Sequence, residues 1–146
     1  MKRFFLLILV LVPAFLLAVS CNGKEDQEAY PGEKTLENTV WSYYSSPLST
    51  SSEMYVIIWN YDVPADLFVK NAEGKGVSCT GKVVYEDSTR KVTISGIKPR
   101  KEGDSVPDKL TGSVSASGLQ LNWSCGDAAY DCLFTYDCPA DRLSGN

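Results

Sequence analysis

The chain has no histidine, so the commonest general base and metal ligand is missing. Close cysteine pairing is absent too. The tail reads Cys125-x6-Cys132-x5-Cys138, without the Cys-x2–4-Cys spacing of a zinc site. Asp127, Asp131, Asp137 and Asp141 recur through the same tail but lack the spacing and the glycine of a calcium loop. There is no stripe of Lys and Arg, and 18 acidic residues outnumber 14 basic ones. That balance argues against nucleic acid or an anionic membrane surface as partner. Ser95-Gly96-Ile97-Lys98 matches Ser-x-x-Lys, yet nothing around it reads as a helix start and no companion motif follows. Asp62 with Asp66, and Glu86 with Asp87, could be imagined as glycosidase pairs, but both lie in or beside predicted turns, where solvated carboxylates are the rule. With no nucleophile–base pair in view, the expectation is a non-enzymatic protein without cofactor or metal.

What the chain does have begins at its N-terminus, MKRFFLLILVLVPAFLLAVSC. Lys2 and Arg3 precede an apolar run from Phe4 to Val19, and small residues lead to Cys21. A charged start, a short apolar stretch and small residues at a cut are the requirements of a secretory signal. The run falls short of the roughly 20 residues of a spanning helix. Leu17-Ala18-Val19-Ser20-Cys21 resembles the lipobox of bacterial lipoproteins. That resemblance implies cleavage before Cys21 and acylation of Cys21, so the membrane is reached through a lipid anchor. Removing residues 1–20 leaves 126 residues with 12 basic and 18 acidic side chains, a net charge of −6. That length supports one core.

Residues 21–37 are charged, contain Pro31-Gly32 and show no apolar period, as expected of a flexible tether. Lys24-Glu25-Asp26 resembles the export signal of surface-displayed lipoproteins, or is simply a solvated spacer; with the lipobox, the resemblance implies a bacterial cell-envelope protein anchored to the outer membrane and exposed at the surface. From residue 38 to 146 a single domain of short strands is predicted. Asn38–Tyr44 is rich in β-branched and aromatic residues, and Met54–Trp59 is a run of β-formers that reads as a strand covered on both faces. Leu67–Lys70 follows. Val77–Tyr85 alternates clearly and returns through Lys91–Ser95, as half-buried antiparallel strands do. Gly96–Asp108 reads as a long polar loop. Leu110–Ser115 and Leu119–Trp123 form a second hairpin, and Cys132–Tyr136 is the last strand.

About eight strands joined as hairpins, with no helical period, predict an all-β antiparallel meander. Closing the sheet into a barrel removes its edges; a two-sheet β-sandwich is the alternative. Trp41 in the first strand, a second strand ending in Trp59, then Gly81-Lys82-Val83-Val84-Tyr85, Lys91-Val92-Thr93-Ile94 and Leu110-Thr111-Gly112-Ser113-Val114 together resemble the small lipocalin-like lipoproteins of Gram-negative bacteria. Asn38-Thr39-Val40-Trp41 stands where that family often has a Gly-x-Trp, with the glycine missing here. The resemblance implies an eight-stranded barrel with an open end.

Four cysteines, Cys79, Cys125, Cys132 and Cys138, would lie in an oxidising compartment, so two disulfides are expected, with three connectivities open. The aromatics carry the functional expectation. Trp41, Tyr43, Tyr55, Trp59, Tyr61, Tyr85 and Trp123 either fill the barrel or line its mouth for a small amphipathic ligand. The alternative is an accessory subunit of an outer-membrane or surface protein complex, with no small-molecule pocket. Lys98-Pro99-Arg100-Lys101 is a basic spot on the long loop that reads as solvated, and at best as a docking point for an acidic partner.

Overall fold

The computed structural model describes residues 35–46 and 48–145. Eight antiparallel strands follow one another: β1 Thr39–Tyr43, β2 Met54–Ile58, β3 Ala65–Lys70, β4 Gly76–Glu86, β5 Lys91–Pro99, β6 Lys109–Ser115, β7 Gly118–Cys125 and β8 Ala128–Cys138. Each pairs with the next, and β8 returns to β1 to close the barrel. Closure decides between barrel and sandwich, because every strand has two hydrogen-bonded neighbours and no edge is left. A single turn of 3-10 helix, Ala140–Leu143, follows β8.

Alternation drives the arrangement. Along β2, Met54, Val56 and Ile58 are buried while Tyr55 and Ile57 are half-buried. The strand is therefore not covered on both faces, as its continuous β-formers suggested; Tyr55 and Ile57 stand on the outer wall. β4 shows the same alternation, with Val77, Cys79 and Val83 inward and Lys82 and Val84 outward. At Gly112 on β6 an added Cβ would stand 1.8 Å from the Gln120 carbonyl oxygen. Only glycine permits that approach of β6 to β7.

Several strands run past their expected bounds, β5 and β8 the furthest. β5 runs through Gly96 to Pro99 instead of ending at Ser95. Gly96 takes φ +62°, and the β4–β5 register shifts between Thr80 and Lys82. Those are the marks of a glycine bulge, which keeps the ladder going past a residue that reads as a loop start. β8 extends four residues earlier than Cys132, because Asp131, Tyr130, Ala129 and Ala128 pair with Asn122, Trp123, Ser124 and Cys125.

The barrel has two unlike ends. At one end the chain enters and leaves. Leu36 is 0% exposed and belongs to the main core, so residues 35–37, expected in the tether, are part of the domain. The Leu36 amide donates to the Tyr61 hydroxyl (2.7 Å), and the Leu36 carbonyl accepts from Thr39 Oγ1 (2.5 Å). Thr39 Oγ1 in turn accepts from the Trp41 indole N–H at 2.8 Å. Asn38 sits at φ +59° and its side chain holds the amide of Asp141, tying the entry to the exit. At the opposite end lie residues 44–46 and 48–53 and the loops 71–75, 100–108 and 126–127.

Candidate functional site

A binding site in a small barrel is its interior and its mouth, so the inward side chains decide what it can hold. Trp41, Phe134, Leu67, Ile94, Leu110, Leu119 and Leu121 are almost completely buried, with Leu36 and Ile58 beneath them and Met54 towards the mouth. Trp41 meets Tyr136 edge-on at 5.5 Å, and Tyr43 is tilted against Phe134 at 5.9 Å. An eight-stranded interior can be filled by side chains or can hold one small ligand; here these branched and aromatic residues, with essentially no accessible surface, occupy it.

The mouth is bridged. β3 and β7 lie four places apart in the ring, on opposite walls. From β7 the Trp123 indole N–H donates to the Lys70 carbonyl at the end of β3, 3.0 Å away. From β8 the Tyr130 hydroxyl donates to the Asn71 carbonyl at 2.8 Å. The two rings stack, centroids 5.1 Å apart at 26°. The turns beyond them meet as well: a Cβ on Gly126 would stand 3.1 Å from that of Ala72. Asn71 is fixed by its own turn, its Oδ1 accepting from the amides of Glu73 and Lys75 at 3.0 Å each. Over the rest of the mouth the loop 100–108 lays buried Pro107 and half-buried Val106, the latter packed on the core.

The seven aromatics singled out from sequence are thus divided. Trp41 and Trp123 are core residues, Trp123 also forming the bridge. Tyr43 and Tyr85 are half-buried against the core. Tyr61 seals the entry end through Leu36 and Thr35. Tyr55 and Trp59 are on the outer wall of the barrel, where Tyr55 stacks on Phe68 (5.6 Å, 22°) and the Trp59 indole N–H donates to Asp66 at 2.9 Å. Asp66 also accepts from Arg100. The structure does not gather them into one ligand-facing mouth. Tyr130 and Phe68, which complete the two aromatic pairs, escaped the sequence reading; their signal is register, since Trp123 faces Tyr130 and Tyr55 faces Phe68 across neighbouring strands.

The expected pair of disulfides among Cys79, Cys125, Cys132 and Cys138 is not formed: Cys79, Cys125 and Cys132 are buried free thiols. Cys79 on β4 and Cys132 on β8 are on opposite walls, roughly 15 Å apart for eight strands at ordinary spacing. A bridge needs Cα atoms within about 7 Å. Cys125 faces Ala128 across the β7–β8 pair, four residues or roughly 13 Å along the strand from Cys132. Burial pushes the Cys79 thiol up to about 11 against the opposing effect of Arg100, and burial raises Cys132 too. These thiols are core hydrophobes, poor nucleophiles at neutral pH. Cys138 is fully buried on the outer side with Val40, Ala140, Ile57 and Trp59. Cys21, the expected lipidation site, lies outside the described residues.

The acid–base candidates are dispersed. Ser95 and Lys98 sit on β5 on either side of the Gly96 bulge, facing Lys82 and Thr80. Asp62, Glu86 and Asp87 are exposed at turns. Asp137 is the unusual carboxylate: it accepts from the hydroxyls of Ser42 and Tyr44. Burial raises its pKa above the ordinary value, partly offset by those two hydrogen bonds. Among the described residues no group of three or more His, Cys, Asp or Glu could hold a metal, and no helix is long and apolar enough to cross a membrane. No family model, curated protein or solved structure matches the chain.

Proposed function

We propose that this chain is a non-enzymatic, lipid-anchored module of the bacterial cell envelope, lipocalin-like in build, that acts through the outside of its barrel as an accessory subunit of an envelope protein complex. One observation carries the reading: the interior is occupied by the chain's own side chains, from Leu36 at the entry end through Trp41, Phe134 and Leu121 to the Trp123–Tyr130 bridge at the mouth. Small-molecule sites are concave and enclose most of their ligand; a filled barrel leaves its outer wall for recognition. The anchor rests on the signal-like residues 1–20 and on Cys21, through which the protein would reach the outer membrane, and residues 22–34 would set the reach of the domain from that membrane.

Native mass spectrometry of the protein purified in mild detergent from its own envelope tests both parts. The expected species carries acyl chains on Cys21 and retains a protein partner without a small molecule. A stoichiometric small amphiphile that leaves only on unfolding would establish the ligand-carrier alternative instead.

A further inference from the structure

The outer wall over β2–β5 has a composition unlike the rest of this acidic chain. The register sets it out in rows. Tyr55, Phe68 and Ser78 lie side by side, with Arg100, whose amide bonds the Ser78 carbonyl at 2.9 Å, beyond them. The next row is Ile57, Asp66, Thr80 and Lys98, and further along stands Lys82 opposite Ser95. Tyr55, Ile57, Trp59 and Phe68 are all half-buried, a continuous apolar strip on β2 and β3. Beside it Lys82, Lys98, Arg100 and Lys101 are exposed. Small polar residues, Ser78 and Thr80, form the floor between the apolar strip and the cations.

Within the wall, cations outnumber carboxylates. Asp66 is the single carboxylate in those rows and is held by Arg100 and Trp59. Beside those rows Glu53 is paired with Lys70 at 3.4 Å, Glu102 is next to Lys101, and Glu86 stands on the outward face of β4 beyond Lys82. Lys82, Lys98 and Lys101 have no ion-pair partner among the described residues. On a chain whose carboxylates outnumber its cations, three unpaired lysines beside an aromatic strip are a local reversal of sign. Complementary potential is what steers and selects a partner.

We infer that the β2–β5 wall is the docking face for an acidic, apolar-studded polypeptide segment of an envelope protein; this rests on the accessory-subunit reading. The face is the flank of a barrel whose apolar residues are half-buried between charged side chains, which suits a protein chain better than insertion into a bilayer. Successive outward side chains on β5 repeat every ~6.6 Å, the same repeat as alternate side chains of an extended peptide. A segment carrying a carboxylate at every second position can therefore face Lys98 and Arg100 while its apolar residues meet Phe68, Tyr55 and Ile57.

The test uses the full chain in detergent and a synthetic twelve-residue peptide of alternating Glu and Val, with an alternating Lys–Val peptide and phosphatidylglycerol vesicles as the other arms. Binding is read by Trp59 fluorescence and amide shifts. The Glu–Val peptide is expected to bind, to move amides on β2–β5 only, and to weaken as salt screens the charges. A double reversal, Lys82→Glu with Lys98→Glu, removes two exposed, unpaired lysines without touching the core and should weaken binding tenfold or more; Lys75→Glu in the β3–β4 turn should not. Equal binding of both peptides, shifts on another face, indifference to the double reversal, or binding to the vesicles alone would overturn the assignment. If none of the arms binds while native mass spectrometry still shows a protein partner, this face is wrong and the accessory reading stands.

Discussion

Asp137 is the residue whose surroundings most clearly oppose its ordinary state. It lies where β8 rejoins β1, at a register shift between Val40 and Trp41, and burial disfavours its charge. The folded pKa is raised, so protonation stabilises the fold. That contribution is present below the ordinary carboxylate value near 4 and is lost as pH rises through the higher folded value. Asp137→Asn removes the charge and keeps an oxygen for Ser42 and Tyr44. It is expected to match or exceed the parent at pH 7, within about 1 kcal/mol, with the difference moving against the variant as pH falls. Asp137→Ala, which leaves the buried Ser42 hydroxyl without its acceptor, should cost about 1–3 kcal/mol. Urea unfolding at pH 7 and pH 4.5 checks both; a parent that gains on Asp137→Asn as pH rises would contradict the assignment of a raised pKa.

At the scale of elements, the mouth depends on two hairpins from opposite walls meeting through Trp123 and Tyr130. Each hydrogen bond, to Lys70 and to Asn71, contributes about 1 kcal/mol, and the stack adds about 0.5–1.5. Trp123→Phe with Tyr130→Phe keeps two stacked rings and removes both donors. Stability should fall by about 2 kcal/mol, with faster hydrogen exchange in the 71–75 and 126–127 turns and little change around Leu36. Uniform acceleration over the whole barrel would contradict a local bridge.

The strands themselves were legible because period two is written into Val77–Tyr85, Leu110–Ser115 and Leu119–Trp123. Less visible were the parts fixed by partners far along the chain. Gly96–Pro99 reads as loop until the Gly96 bulge against β4 is known, and Leu36 reads as tether until Tyr61 accepts its amide. The disulfide expectation failed for the same reason: cysteine count and compartment say nothing about which wall each thiol occupies. The aromatics could not be divided from sequence, since alternation tells which residues share a face without saying which face is inside.

For the whole molecule, the decisive quantity is how completely the chain fills its own barrel. Trp41 and Phe134 at the middle, with Leu110, Leu119, Leu121 and Ile94 around them, have essentially no exposed surface. Interiors packed to that extent feel even one methylene, so a guest chain would have to displace native side chains rather than occupy spare volume. A closed barrel without edges also leaves no strand for partner pairing, so on the proposed accessory reading recognition would fall to side chains such as Tyr55, Trp59, Phe68 and Arg100. The direct test is a methyl NMR titration of the full chain with a twelve-carbon amphiphile below its micelle concentration. The account predicts that the methyl resonances of Ile94, Leu110, Leu119 and Leu121 stay where they are through the titration. Saturable shifts of those methyls would show an interior that admits a ligand and would contradict it.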